Sequence, residues 1–149
     1  WVKTASAALP KYDFPVLNTG KTKAEDILDA RIEAAVAAWS TRLIAASSVV
    51  PTPENYNIMC YWTQTPWDTY GHIKGAYRLE PHTLTVSENL SAFDPAGNNV
   101  IYCYTGQTAA ATIPYLEVLG YDVKSIKFGA NAMIWDVLRD HKWPKPYGG

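Results

Sequence analysis

The stretch Val100-Ile101-Tyr102-Cys103-Tyr104-Thr105-Gly106-Gln107-Thr108-Ala109-Ala110-Ala111 runs from an apolar segment, through a cysteine and a short glycine-containing loop, into a helix-forming alanine tract. That order reads as strand, cysteine, tight loop and helix start. The first turn of a helix presents N–H groups with no intrahelical partner, and the macrodipole adds partial positive charge there. Both favour a thiolate over a thiol at Cys103, or a bound anion beside it. Gly106 supplies the backbone freedom for a sharp turn that aims amides inward. A cysteine closing a core strand also reads as a small buried hydrophobe. The polar and amphipathic residues Tyr104, Thr105, Gln107 and Thr108 that follow it favour a site, because open α/β sheets bind ligands at the carboxyl ends of their strands.

Downstream of the loop, helical character continues to about Leu119, where Gly120 provides a left-handed C-terminal cap. Pro114 falls inside that helix. Residues 123 to 128 read as another strand and residues 130 to 140 as a last helix. Strand, helix and strand between Val100 and Phe128 form a βαβ unit, which implies a parallel sheet.

Upstream, Asp94-Pro95-Ala96-Gly97-Asn98-Asn99 is a turn that delivers the chain into the cysteine strand. Residues 56 to 62 (Tyr-Asn-Ile-Met-Cys-Tyr-Trp) read as a buried strand. Residues 63 to 70, with Pro66, read as a loop, 76 to 79 as a short strand and 87 to 93 as a helix. Ile27, Leu28, Ile32, Ala35, Val36, Trp39 and Leu43 recur at helical spacing and predict a long helix with one buried face. Thr22 and Glu25 stand at capping-box spacing before it. Residues 1 to 20 carry Pro10, Pro15 and Gly20 without periodicity and read as an extended arm; residues 21 to 149 form the domain.

A chain of 149 residues with 48% hydrophobic residues and a net charge of −1 fits one domain with a sizeable core. No basic run points to nucleic acid, and no apolar stretch approaches a bilayer span. The two cysteines form no disulfide framework, and His72, His82 and His141 are scattered, so neither a metal site nor a cofactor is expected.

Three segments, in this order, resemble a known family. Gly71-His72-Ile73-Lys74-Gly75-Ala76 is similar to its Gly-His-Ile-x-Gly-Ala element. Cys103-Tyr104-Thr105-Gly106-Gln107-Thr108 is similar to its six-residue Cys-x-x-Gly-x-Thr loop. Gly129 through Trp135 resembles its closing Gly-Gly-x-x-x-Trp segment, with Ala130 after the glycine and a longer spacing. Over residues 22 to 143 the chain resembles a rhodanese domain, the sulfurtransferase module. The resemblance implies a three-layer α/β fold, a central parallel five-stranded sheet flanked by helices. It also implies that Cys103 takes a sulfane sulfur from a small donor (thiosulfate, polysulfide or persulfide) as a persulfide. The sulfur then passes to a thiol or other thiophilic acceptor, which can be a protein. The loop residues Tyr104, Thr105, Gly106, Gln107 and Thr108 would bind the substrate through their amides, with the Thr105 and Thr108 hydroxyls as further donors. A phosphatase of related architecture needs a longer loop ending in arginine; Ala109 stands in that place here.

The chain departs from the pattern in two respects. The family writes Asp-x-Arg at the end of its early strand, where this chain has Cys60-Tyr61-Trp62, and the loop holds no lysine or arginine. Capture of a thiosulfate dianion is therefore expected to be weak unless Arg78, Lys74 or Lys127 supplies charge. Tyr61, Trp62 and Tyr104 are candidate pocket walls, and His72 reads as a hydrogen-bonded turn lock. Cys60 shares a strand face with Ile58 and reads first as a buried core thiol. Its other reading is a second thiol for Cys103, which requires Cα atoms within about 7 Å. Two alternatives to the transferase remain: a catalytically weak binding or sensor module, and a Cys103/Cys60 dithiol redox protein. A start at Trp1, with the aromatic-rich arm, leads us to expect an exported or periplasmic protein rather than a cytoplasmic one.

Overall fold

The computed structural model describes residues 1–145; the end of the expected domain, residues 146–149, lies outside the described residues. Five strands form one sheet: β1 (Leu43–Ile44), β2 (Asn57–Cys60), β3 (Tyr77–Arg78), β4 (Asn99–Tyr102) and β5 (Val123–Ile126). Their spatial order is β1-β5-β4-β2-β3, and every pair is parallel. Among the described residues five α-helices accompany them: α1 (Ala24–Ala38), α2 (Ala46–Val49), α3 (Gln64–Tyr70), α4 (Gln107–Val118) and α5 (Asn131–Ile134).

Side chains alternate across the strands, so each strand feeds two cores. Met59, Ile101 and Val123 meet Ala109, Ile113 and Leu116 of α4 on one face. Ile58, Val100 and Ile126 meet Val49 of α2, Trp67 of α3 and Leu138 on the other, with Met133 and Ile134 of α5 against them. This is the expected three-layer α/β fold. Ile101, Ile113 and Leu116 are fully buried, each contributing about 1.5–3 kcal/mol of apolar transfer. The chain leaves β2 toward one sheet edge and β4 toward the other. The topological switch point thus lies between the carboxyl ends of β2 and β4, where open sheets bind ligands.

Four sequence expectations need correction. Gln64–Tyr70 is helical, not a loop: Pro66 sits in the first turn of α3, where an N–H has no helical acceptor to lose, and Trp67 is buried. Between residues 87 and 93 only Leu90–Ala92 forms a 3₁₀ turn. The last helix is interrupted, α5 passing into a 3₁₀ turn at Trp135–Val137. The capping box does not form: Lys23 is the N-cap of α1 and no side chain caps it.

The apolar stripe of α1 also lies differently from expectation. Leu28, Ile32, Val36 and Trp39 are exposed, and within α1 only Ala35 is buried. The helix packs against α4, which already covers the sheet, so the small-residue side of α1 makes the contact. The stripe lines an open apolar groove of about 590 Å³ with Pro114 and Tyr115 of α4.

The N-terminal residues lie along the body. Val2 bridges His72 in both directions, Ser6 Oγ accepts from the Arg78 N–H, and Tyr12 N–H donates to Ser91. His72 locks its turn: it is buried, stacked on Trp67 at 3.6 Å, with Ile73 O at 2.8 Å from Nδ1 and Thr4 O at 3.1 Å from Nε2. No helix among the described residues is long and apolar enough to cross a membrane.

Candidate active site

β4 ends at Tyr102, and Cys103 follows at the switch point, only 4% exposed. Its Sγ accepts the N–H of Ala109, in the first turn of α4, at 3.4 Å. Gly106 is the N-cap of α4 at φ 82°, the left-handed conformation the turn requires.

The loop is held from behind. Ala130 N–H donates to the Cys103 carbonyl at 2.9 Å, Asn131 N–H to that of Tyr104 at 3.1 Å, and the Trp143 indole N–H to that of Thr105 at 3.1 Å. Each trans peptide sets its N–H opposite its C=O, so the N–H groups of residues 104 to 106 turn away from these partners. Gly129 allows the close approach: a Cβ there would lie 2.2 Å from the Cys103 carbonyl oxygen.

In front of Cys103 lies a cavity of about 300 Å³. Its floor is the loop, through Cys103, Tyr104, Thr105, Gln107 and Thr108, and its walls are Tyr61, Trp62, Thr63, Pro66, Pro81 and His141. Of the loop residues expected at the site, Gly106 alone faces elsewhere, lining a cleft with Lys127 and Trp143 behind the loop. The Thr105 hydroxyl donates to Gln107 Oε1 at 3.0 Å, which stiffens the loop rather than serving a substrate. Tyr61 is anchored through its hydroxyl, which accepts the His82 N–H at 2.8 Å. Trp62 and Tyr104 pack with ring centroids 4.7 Å apart, and the His141 ring lies 4.7 Å from that of Tyr104. Burial, with the Asp140 carboxylate and then Tyr70 and Cys60 adding to it, pushes the Tyr104 phenol up to about 12.

None of the three candidate cations lines the cavity. Arg78 pairs with Glu80 and reaches the Trp62 carbonyl at 3.4 Å. Lys74 lies beside Tyr12, Asn57 and Asp94 in a separate cleft, and Lys127 lies behind the loop.

Cys60 and Cys103 lie on opposite faces of the sheet, close enough for Cys103 to add to the upward push on the Cys60 thiol. Cys60 is adjacent to Tyr102 in register and fully buried in the core of the α3 face, whereas Cys103 belongs to the core of the α4 face. Both thiols are free. Burial pushes the Cys60 thiol up, and a hydrogen bond with Tyr102 opposes that shift only in part.

Sequence reasoning missed Pro81, His141, Asn131 and Trp143. Each is placed by a tertiary contact with no local periodic or spacing signal. Among the described residues no cluster of His, Cys, Asp and Glu is set to hold a metal.

No protein-family model matches this chain, and no curated protein matches it. Among solved structures, a rhodanese-related protein from Thermoplasma volcanium is similar with a TM-score of 0.57 at 17% identity, covering 64% of this chain and 93% of its own. A protein from Lactobacillus plantarum is similar with a TM-score of 0.49 at 21% identity, covering 70% of this chain and 90% of its own. The first likeness shows a rhodanese-like α/β fold.

Proposed function

We propose that this chain is a sulfurtransferase in which Cys103 carries the transferred sulfur as a persulfide. The observation that supports it best is the position of Cys103 Sγ, at the floor of a cavity at the sheet's switch point and 3.4 Å from the Ala109 N–H. That amide stabilises negative charge on sulfur, which the thiolate and the persulfide both bear.

In the first half-reaction the thiolate attacks the outer sulfur of a sulfane donor. The new bond joins Sγ to that sulfur, the donor's sulfur–sulfur bond breaks, and its electron pair leaves with the donor's remainder. In the second, an acceptor nucleophile takes the outer sulfur and returns Cys103 as thiolate. Two easy displacements replace one difficult transfer. The dithiol reading has no geometric support, since the two sulfurs lie on opposite faces of the sheet.

Intact mass spectrometry tests the proposal. The reduced protein is incubated with polysulfide, an organic persulfide or thiosulfate, beside a Cys103→Ala variant. A gain of one sulfur atom, absent in the variant and discharged by cyanide or a thiol, supports transfer. No adduct with any donor leaves a binding or sensor module as the reading.

A further inference from the structure

We propose that the Cys103 cavity selects a sulfane donor with an apolar, preferably aromatic, organic body and at most one negative charge, over an inorganic dianion such as thiosulfate. This inference rests on the sulfur-transfer reading and adds to it the class of donor.

The volume of about 300 Å³ is that of a small organic-ligand site; a bare sulfane dianion needs far less room. Rings dominate the lining, through Tyr61, Trp62 and Tyr104 with Pro66 and Pro81, beside Thr63 and His141. Such surfaces attract apolar and aromatic bodies through area and through ring-on-ring contact. These ring surfaces offer a dianion no counter-charge in return for its hydration.

The charges around the site point the same way. Among the described residues no lysine or arginine lines the cavity. Arg78 is neutralised by Glu80. Lys142 and Lys145 lie over the Trp135 ring at 3.8 and 4.0 Å, and Lys145 also pairs with Asp136 at 3.5 Å. On the Tyr104 side the Asp140 carboxylate acts on the phenol and repels an anion. A dianion entering the cavity would be desolvated without a counter-charge. A singly charged organic donor can bury its body against the rings and leave its charge at the amide end of the loop.

Thiosulfonates, R–SO₂–S⁻, separate these effects. Cys103 Sγ bonds to the terminal sulfur, the bond from that sulfur to the sulfonyl sulfur breaks, and its electron pair leaves on the sulfinate R–SO₂⁻. The thiol proton passes to the persulfide or to water. No oxidant or reductant is consumed.

Loading of the reduced protein with thiosulfate, methanethiosulfonate and benzenethiosulfonate is followed by intact mass. Each rate is divided by that donor's rate with free cysteine, which removes differences in leaving group. Benzenethiosulfonate is expected to load about tenfold faster than methanethiosulfonate, with thiosulfate slowest. Trp62→Ala should abolish the aromatic advantage. Because Trp62 is buried and its loss can prevent folding, Gln107→Lys, at the exposed first residue of α4 on the cavity, is the second arm. The added cation should raise thiosulfate relative to benzenethiosulfonate by about fivefold. Thiosulfate loading at or above benzenethiosulfonate in the unaltered protein, or an unchanged ratio in Gln107→Lys, overturns the donor class and leaves Cys103 as the sulfur carrier. No adduct on Cys103 with any of the three overturns the sulfur-transfer reading, and the donor class with it.

Discussion

The side-chain amide of Asn131 donates to the carbonyl of Tyr104 at 2.8 Å, and the backbone N–H of Asn131 reaches the same oxygen at 3.1 Å. Asn131 is fully buried. It also donates to the His141 carbonyl at 2.9 Å and accepts the Trp143 N–H at 2.8 Å. One side chain thus ties the Cys103 loop to the segment that carries His141 to the cavity rim. Asn131→Ala takes the side-chain partner from the His141 carbonyl and the Trp143 N–H and leaves the Tyr104 carbonyl with the backbone donor alone, and the expected loss of stability is about 1–3 kcal/mol. Denaturant unfolding measures it. If Asn131 positions the loop, sulfur loading of Cys103 also slows under conditions where the variant is fully folded. An unchanged loading rate would make its role one of stability alone.

Gly129 and Gly75 make a matched pair. Both adopt positive φ, 53° and 79°, so alanine at either incurs left-handed strain of about 1–2 kcal/mol. A Cβ at Gly75 meets nothing within 4 Å, whereas one at Gly129 would lie 2.2 Å from the Cys103 carbonyl oxygen and 2.7 Å from the Gly106 nitrogen. Gly129→Ala should therefore cost about 2 kcal/mol more than Gly75→Ala, and it alone should impair loading of Cys103. Equal unfolding midpoints for the two variants would show that the loop does not depend on this approach.

Much of this architecture was legible before any coordinates, for a physical reason. The βαβ unit around Cys103 is a run of local signals: an apolar strand, a glycine at a left-handed N-cap, an alanine-rich helix and a left-handed Gly120. Local signals survive into the fold because nothing nearby competes with them. The cavity was only half legible. Tyr61, Trp62 and Tyr104 belong to the strand ends and were named as walls, but Pro81 and His141 arrive from turns whose destinations depend on tertiary packing. Cys60 shows why strand parity matters: it is level with Tyr102, so the next residue, Cys103, points to the other face.

That parity predicts the thiol chemistry. In the folded protein a small alkylating reagent should modify Cys103 through its cavity and leave Cys60 untouched. Burial pushes the Cys60 thiol up, so moderately alkaline pH does not open it. Mass mapping after iodoacetamide, with and without denaturant, checks this. One modified thiol is expected in the native protein and two in the unfolded chain. Alkylation of Cys60 before unfolding would contradict the sheet register.

The tyrosines set an alkaline limit. In the fold, Tyr104 is raised from the ordinary 10 to about 12, and Tyr12, Tyr102 and Tyr121 are raised as well, each chiefly by burial. A folded value above the unfolded one means that the unfolded chain loses its phenol protons first. Stability is therefore complete below about pH 10 and falls as pH rises toward 12. Thermal unfolding followed across that range should show Tm decreasing, and Tyr104→Phe should make the decrease shallower. A Tm independent of pH through this window would contradict the protonated state of these phenols in the fold.

The exposed stripe of α1 gives the last test. Periodicity alone assigns Leu28, Ile32 and Val36 to the core, and a core isoleucine cut to a small residue costs about 2–5 kcal/mol. Here Ile32 is 44% exposed and Val36 72% exposed, because α4 already covers the sheet beneath them. Ile32→Ser and Val36→Ser should each change stability by no more than about 0.5–1 kcal/mol, and the double variant should stay close to additive or a little better than additive. The contrasting variant is Ala35→Leu, which forces bulk into the buried contact and should cost about 1–3 kcal/mol. If instead the serines prove severe and Ala35→Leu mild, the buried side of α1 is the stripe after all, and its packing against α4 is rotated from the one described.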